Sequence, residues 1–117
     1  MKVRHYRQVE GEREVPGVLL RTVISADDGA PRFAMRIFEV EPGGSTPFHA
    51  HWWEHEVFIL SGRGAVRGKQ GETALSEGDV VLVLPHEEHC FANTGSDILR
   101  FICVVPLAET PPPSPPQ

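Results

Sequence analysis

The chain has 117 residues, enough for one domain with one hydrophobic core. Hydrophobic residues make up 40% of it, and sixteen acidic against eleven basic residues leave a formal net charge of -5, which argues against nucleic-acid binding. No apolar run approaches the roughly 20 residues that span a bilayer, and the N-terminus lacks the apolar stretch of a signal peptide, so we expect no membrane partner and a cytoplasmic location.

Short apolar runs separated by turn residues predict an all-β chain. After an N-terminal arm (residues 1–14), these runs fall at residues 15–25, 32–41, 48–60, 64–67, 73–75, 80–85, 90–93 and 98–106. No window carries the 3.6-residue apolar stripe of an amphipathic helix. About eight short strands with regular turns are typical of a sandwich or barrel, here a single domain over residues 15–106.

A proline-rich tail follows the predicted barrel at residues 107–117, ending in PPPSPPQ. Proline cannot donate to a β-ladder and favours an extended polyproline conformation. We expect a loosely attached end, with a ligand for an aromatic-lined groove as the alternative.

Four histidines fall into two groups that are far apart in the sequence. His49 and His51 share one side of a strand if the segment is extended, His55 follows four residues later, and His89 lies in the string PHEEH. Imidazoles that converge on one interior face favour a divalent metal ion, for which neutral histidine is a common ligand.

The two histidine groups resemble the two motifs of the cupin superfamily. The first family motif, G-x5-H-x-H followed by a glutamate and a later glycine, matches Gly43, His49, His51, Glu56, and Gly62 or Gly64. The second, G-x5-P-x-G-x2-H-x3-N, matches Gly78, His89 and Asn93. Its proline is one place late, at Pro85, and its internal glycine is missing.

Within this superfamily the chain is similar to small microbial cupins that have an H-x-H-x-W-E-H-E core and bind manganese through four histidines. The resemblance implies a double-stranded β-helix (jelly-roll) barrel, a homodimer, and Mn(2+) held by His49, His51, His55 and His89. Ligand type alone leaves Fe(2+), Ni(2+), Cu(2+) and Zn(2+) as alternatives. The sequence departs from this subgroup at Trp52 and Cys90, which adjoin ligand positions.

The third ligand of the first motif is a choice between His55 and Glu56. Neighbouring strand residues face opposite ways, so both reach one ion only across a bulge. The general motif favours Glu56, whereas the subgroup favours His55. An inward His55 also places Val57 and Ile59 inward, which suits a small barrel.

Four further residues are predicted to line the pocket. Arg36 lies on the strand before the first motif, where its guanidinium could bind a substrate carboxylate and take part in catalysis, although a solvent-facing arginine is equally consistent with the pattern. Phe101 and Cys103 share one face of the last strand, which the family resemblance implies lines the cavity, with apolar core packing as the alternative role for both. With Phe38 they complete the predicted substrate pocket. Nothing in the sequence indicates a lowered pKa for Cys103.

Three classes of function remain open for a metal site of this kind. The first is a manganese- or iron-dependent oxidoreductase, a dioxygenase or an oxidative cleavage enzyme acting on a small substrate with a carboxylate or enol oxygen. The second is an isomerase or lyase that uses the metal as a Lewis acid, and the third is a non-catalytic binding protein. The fold alone cannot choose among them.

Overall fold

The computed structural model describes residues 1–107, so all but the first residue of the predicted tail lies outside the described part of the chain. Nine strands and two short 3-10 turns make up the regular structure of these described residues. The turns are Tyr6–Gln8 and Ala26–Asp28, and the strands are β1 (Glu12–Val15), β2 (Val18–Ile24), β3 (Phe33–Val40), β4 (His55–Ser61), β5 (Arg63–Gly68), β6 (Gly71–Ser76), β7 (Val80–Val83), β8 (His89–Asn93) and β9 (Leu99–Pro106).

The strands form two antiparallel sheets that face each other. The larger sheet has six strands in the order β1-β2-β3-β9-β4-β7, and the smaller has three in the order β6-β5-β8. The chain crosses between the sheets after β4, β6, β7 and β8, as in a jelly roll. The prediction of an all-β, single-domain jelly roll is confirmed. Neither turn in the described residues could cross a membrane.

Alternating side chains of both sheets fill the space between them. Along β4, His55, Val57 and Ile59 are buried while Glu56 and Phe58 are exposed, which is the period-2 pattern of a strand with one buried face. The apolar core joins members of β2, β3, β4, β6, β7, β8 and β9, including Val18, Phe38, Val40, Val57, Ile59, Leu75, Val83, Phe91, Leu99 and Phe101.

Two predicted boundaries differ from the structure. The arm contains β1, which pairs with β2 through the Pro16-Gly17 turn. The strand predicted over residues 48–60 begins only at His55. Residues 45–54 leave the larger sheet after β3, make single bridges to β8 of the smaller sheet instead of a continuous ladder, and return to the larger sheet at β4. His49 and His51 therefore lie in an irregular extended segment.

Candidate metal centre

A single backbone bridge brings the two histidine motifs together. The N–H of His49 donates to the carbonyl of His89 at 3.1 Å, and the N–H of His89 donates to the carbonyl of His49 at 2.9 Å. Just beyond it, the N–H of Thr46 donates to the carbonyl of Phe91 at 2.9 Å, and the Thr46 hydroxyl accepts the Phe91 N–H at 2.9 Å. These bonds fix the irregular segment of the first motif against β8.

Three imidazoles meet at this bridge. Ring nitrogens of His49, His51 and His89 all lie within 4.8 Å of one another, and Nε2 of His51 is 3.1 Å from Nε2 of His49. His49 and His51 reach this position without being part of a regular strand. The bridge to His89 places His49, and the H-x-H spacing places His51 beside it. Among residues 1–107, this is the group of side chains arranged as metal ligands.

His55 stands beside this group and is not part of it as the side chains are placed. Its Nε2 is 2.9 Å from Nδ1 of His51, and their rings stack with centroids 4.3 Å apart. His55 is 5% exposed and faces the interior, whereas Glu56 is exposed on the outer face of β4. The choice between these two residues as a ligand therefore favours His55 on orientation, and the four-histidine set remains a prediction.

Hydrogen bonds on the far side of two rings orient their nitrogens. The Nδ1 of His89 lies 2.8 Å from the carbonyl oxygen of Glu87, which can only accept, so Nδ1 carries a proton and Nε2 is the ring nitrogen left for a metal ion. The Nδ1 of His55 lies 2.9 Å from Sγ of Cys103, leaving Nε2 toward His51. Such outer contacts are the usual support of metal-binding histidines.

The electrostatics of the cluster favour the neutral form of His49, His51 and His55. Burial, followed by repulsion from the neighbouring histidines, lowers the pKa of His51 to about 4 and that of His55 to about 3. Burial and the charge of His89 also lower the pKa of His49. Neutral imidazoles at pH 7 offer lone pairs to a cation, so the donor set fits a divalent transition metal.

The cluster lines a cavity of about 290 Å³ between the two sheets. All four predicted pocket residues lie on its wall, together with four others. The predicted ones are Arg36, Phe38, Phe101 and Cys103, and the additional ones are Glu14, Thr46, Trp53 and Phe91.

Sequence patterns could have placed one of these additional residues in the cavity but not another. Phe91 lies two places after His89 on β8, so strand alternation could have placed it inside. Glu14 had no such signal, because it reaches the cavity only through the pairing of β1 with β2.

The chemistry of the wall is mixed. Phe38 and Phe101 stack with centroids 5.0 Å apart, and the guanidinium of Arg36 lies over the Phe38 ring at 5.3 Å. The Nη2 of Arg36 is 3.6 Å from Sγ of Cys103, a partner that carries no full charge as a thiol. Burial raises the pKa of the Cys103 thiol, which agrees with its assignment as a pocket wall residue.

Other residues of the two motifs have structural roles. The side-chain amide of Asn93 donates to the carbonyls of Val40 and Asp97, both at 2.8 Å, and its oxygen accepts the N–H of Gly95 at 2.8 Å. Gly62 has a φ of 88°, and a Cβ there would lie 2.4 Å from the carbonyl oxygen of Ile98. Asn93 and Gly62 therefore stabilise the local backbone and do not line the cavity.

The structure also shows the surroundings of the positions at which the sequence departs from the family motifs. His86 occupies the place of the missing motif glycine and has a φ of 65°, which explains why glycine suits that position. Cys90 is buried opposite Arg67 of β5, away from the cavity wall. Trp52 packs edge-on against Trp53, with centroids 5.5 Å apart, and lines an outer groove.

Comparisons with known proteins agree with the fold. The family described as the cupin domain matches residues 36–105. The polyketide cyclase RemF of Streptomyces resistomycificus has a solved structure that superposes with a TM-score of 0.87 at 35% identity, over 95% of this chain and 82% of that one.

Two curated relatives are more distant. The oxalate-binding protein of Thermotoga maritima is 29% identical over 91% of this chain and 85% of its own length. The 1-methylthio-D-xylulose 5-phosphate methylsulfurylase of Rhodospirillum rubrum is 34% identical over 61% of this chain, and the match spans only 46% of that protein.

Proposed function

The chain belongs to the cupin family, and from this premise we propose that it is a metal-dependent enzyme that moves a proton on a small organic substrate bearing a carbonyl or enol oxygen. The observation that carries the proposal is one cavity lined both by the neutral histidine cluster and by an acid-base side chain, Glu14. An enzyme of this kind would be an isomerase, a lyase or a cyclase.

The metal ligands in this proposal are the clustered His49, His51 and His89, with His55 as the fourth. His55 joins the set through a small movement of its ring, whose Nε2 already faces His51. When bound, a divalent ion supplies Lewis-acid polarisation of a substrate oxygen. Manganese is the first ion to test, on the resemblance to manganese-binding cupins, with iron, nickel, copper and zinc beside it.

Glu14 is the residue we propose for proton transfer. It is exposed at the cavity edge, so its carboxylate exchanges protons with solvent. The carboxylate would take a proton from a carbon next to the substrate carbonyl, and the electron pair of the broken C–H bond would pass into the resulting enolate. The proton would then be returned at a second position that shares this electron pair. The aromatic wall of Phe38 and Phe101 excludes water from the rest of the substrate.

The likeness to a polyketide cyclase over nearly the whole chain supports these classes over an oxidative one. A dioxygenase or oxidative cleavage enzyme would occupy the same cavity and use the same metal ligands. The two classes differ in what they consume, because only the oxidative class takes up dioxygen during turnover.

Deuterium exchange tests the proposal. The metal-loaded protein is incubated in D2O with a panel of small ketones, 2-oxo acids and 1,3-diketones, and exchange at carbon is followed by NMR. We expect metal-dependent exchange that Glu14→Gln abolishes while its metal content stays at the wild-type level.

The matched control is Glu12→Gln, which changes an exposed glutamate of the same strand that does not line the cavity. Equal exchange in Glu14→Gln and wild type would remove Glu14 from the mechanism. Substrate-dependent oxygen uptake without exchange would assign the protein to the oxidative class instead.

A further inference from the structure

The cavity wall contains two buried hydrogen-bond donors that have no protein acceptor. Within residues 1–107, Nε of Arg36 and Nε1 of Trp53 are the buried side-chain nitrogen and oxygen atoms without a partner. Buried polar groups are almost always satisfied, because leaving one unpaired loses its hydration without compensation. Both side chains line the same cavity.

Arg36 also lacks a counter-charge. The ion pairs of the described residues use Arg4, Arg21, Arg67, Lys69 and Arg100, and none involves Arg36. Glu14 lines the same cavity but forms no ion pair with Arg36, and the neutral histidines contribute no negative charge. A guanidinium stays protonated at any physiological pH, so the cavity holds a permanent cation ready for an anionic partner.

Trp53 is held in place by its ring. Its plane stacks on His51 with centroids 4.4 Å apart and an angle of 8°, and it lies nearly parallel to His55 at 6.2 Å. This stacking fixes the indole beside the histidine cluster, so its N–H has a defined direction. An indole N–H can only donate, and it therefore selects for an acceptor atom on the ligand.

We propose that Arg36 and Trp53 form an anion-recognition pair, and that the ligand of the cavity is a small organic acid. Its carboxylate accepts from Arg36, and a further oxygen accepts from the Trp53 N–H. The inference rests on the proposed function, since it names the substrate class for the same cavity. Unlike the proposed proton transfer, this recognition needs no metal ion, because both contacts to the ligand are made by protein side chains.

Binding of three related probes separates the two contacts. Benzoylformate carries a carboxylate and an adjacent keto oxygen, benzoate lacks the keto oxygen, and benzamide lacks the negative charge. Affinities are measured by titration calorimetry, first with chelator-treated protein and then with the metal-loaded form. In wild-type protein we expect benzoylformate to bind best and benzamide worst, in both forms.

Arg36→Gln should weaken binding of both carboxylates by roughly 10- to 100-fold and that of benzamide by much less, because it removes a charge-assisted contact. Arg36→Lys keeps the charge and should restore part of the loss. Trp53→Phe keeps the stacking ring and should cost benzoylformate roughly 3- to 10-fold, with a smaller effect on benzoate.

The matched control is Trp52→Phe, which changes the neighbouring indole that lines the outer groove. Circular dichroism and thermal melting verify that each variant is folded, and metal content verifies the cluster. Unchanged carboxylate affinity in both Arg36 variants, or equal loss for benzamide, would overturn the anion-recognition pair. Loss of metal binding with retained carboxylate selectivity would instead overturn the proposed function alone.

Discussion

The main-chain N–H of His86 donates to the carbonyl oxygen of His51 at 2.6 Å, while His86 itself has a φ of 65°. The turn before β8 thus stabilises the backbone at His51 through a residue that does not line the cavity. A histidine in the left-handed region carries a strain that glycine does not, so the bond to His51 is made at a conformational cost.

Replacing His86 by glycine should therefore stabilise the protein. The expected gain is about 1 kcal/mol in the free energy of unfolding, reduced somewhat by the larger conformational entropy of glycine in the unfolded chain. Urea unfolding of the metal-free protein measures it. The side chain is exposed, so no packing is lost. A destabilised His86→Gly variant would mean that the imidazole itself supports the turn.

Metal binding should depend on the histidines that the bridge brings together. The variants His49→Ala and His89→Ala should each lose most of the bound metal, because each removes an imidazole from the three-histidine group. Elemental analysis of untagged protein measures the content after incubation with manganese, iron, nickel, copper and zinc. The control is His86→Asn, which keeps a residue tolerant of the left-handed region outside the cluster. Wild-type protein that stays metal-free with all five ions would refute the site.

The ligand choice on β4 is tested by comparing His55→Ala with Glu56→Gln. His55 is buried beside His51 and Glu56 is exposed on the opposite face, so only the histidine variant should lower metal affinity, by tenfold or more. Competition with a chromogenic chelator gives the affinities. A larger loss in Glu56→Gln would assign the ligand to the carboxylate.

Gly62 should tolerate no side chain. Its φ is 88° and a Cβ would lie 2.4 Å from the Ile98 carbonyl oxygen, whereas Gly29 has a similar φ of 89° with nothing within 4 Å. Gly29→Ala should cost roughly 1–2 kcal/mol from backbone strain alone, and Gly62→Ala should cost at least about 1 kcal/mol more from the clash. Thermal and urea unfolding of the two variants give the difference. Equal costs would show that the backbone at Ile98 moves aside freely.

Glu39 should make stability depend on pH. Its side chain is 16% exposed between Arg21 and Arg100, whose Nη2 lies 2.6 Å from the Glu39 carboxylate. Burial alone raises the pKa of Glu39, but hydrogen bonds from Arg100 and Arg21 outweigh it and hold the pKa below its ordinary 4.5. The ionised form therefore stabilises the fold above about pH 4.5, and this contribution is lost as the pH falls through the lowered pKa.

The variant Glu39→Gln should lose roughly 2 kcal/mol of stability at pH 7, because two guanidinium groups lose a charged acceptor. The difference from wild type should shrink as the pH falls below 4.5. Urea unfolding from pH 7 to pH 3 follows both proteins. If the difference in the free energy of unfolding stays constant over this range, the contribution of Glu39 does not depend on its charge.

The sequence alone determined the fold class and most of the cavity wall. Alternation along β3, β4 and β9 is enough to turn Phe38, His55 and Phe101 inward, because side chains in a strand point to opposite faces in turn. Likewise, the spacing of His49 and His51 in one short segment indicates a shared ligand site.

Only the tertiary structure decided how the two motifs meet and what surrounds them. The bridge between His49 and His89 joins residues 40 positions apart, and it exists because the irregular segment crosses to β8 without forming a strand. Glu14 and Trp53 reach the cavity through the pairing of β1 and the stacking on His51, contacts that no local periodicity encodes. Local pattern fixes the face that a residue presents, whereas long-range pairing fixes which faces share a cavity.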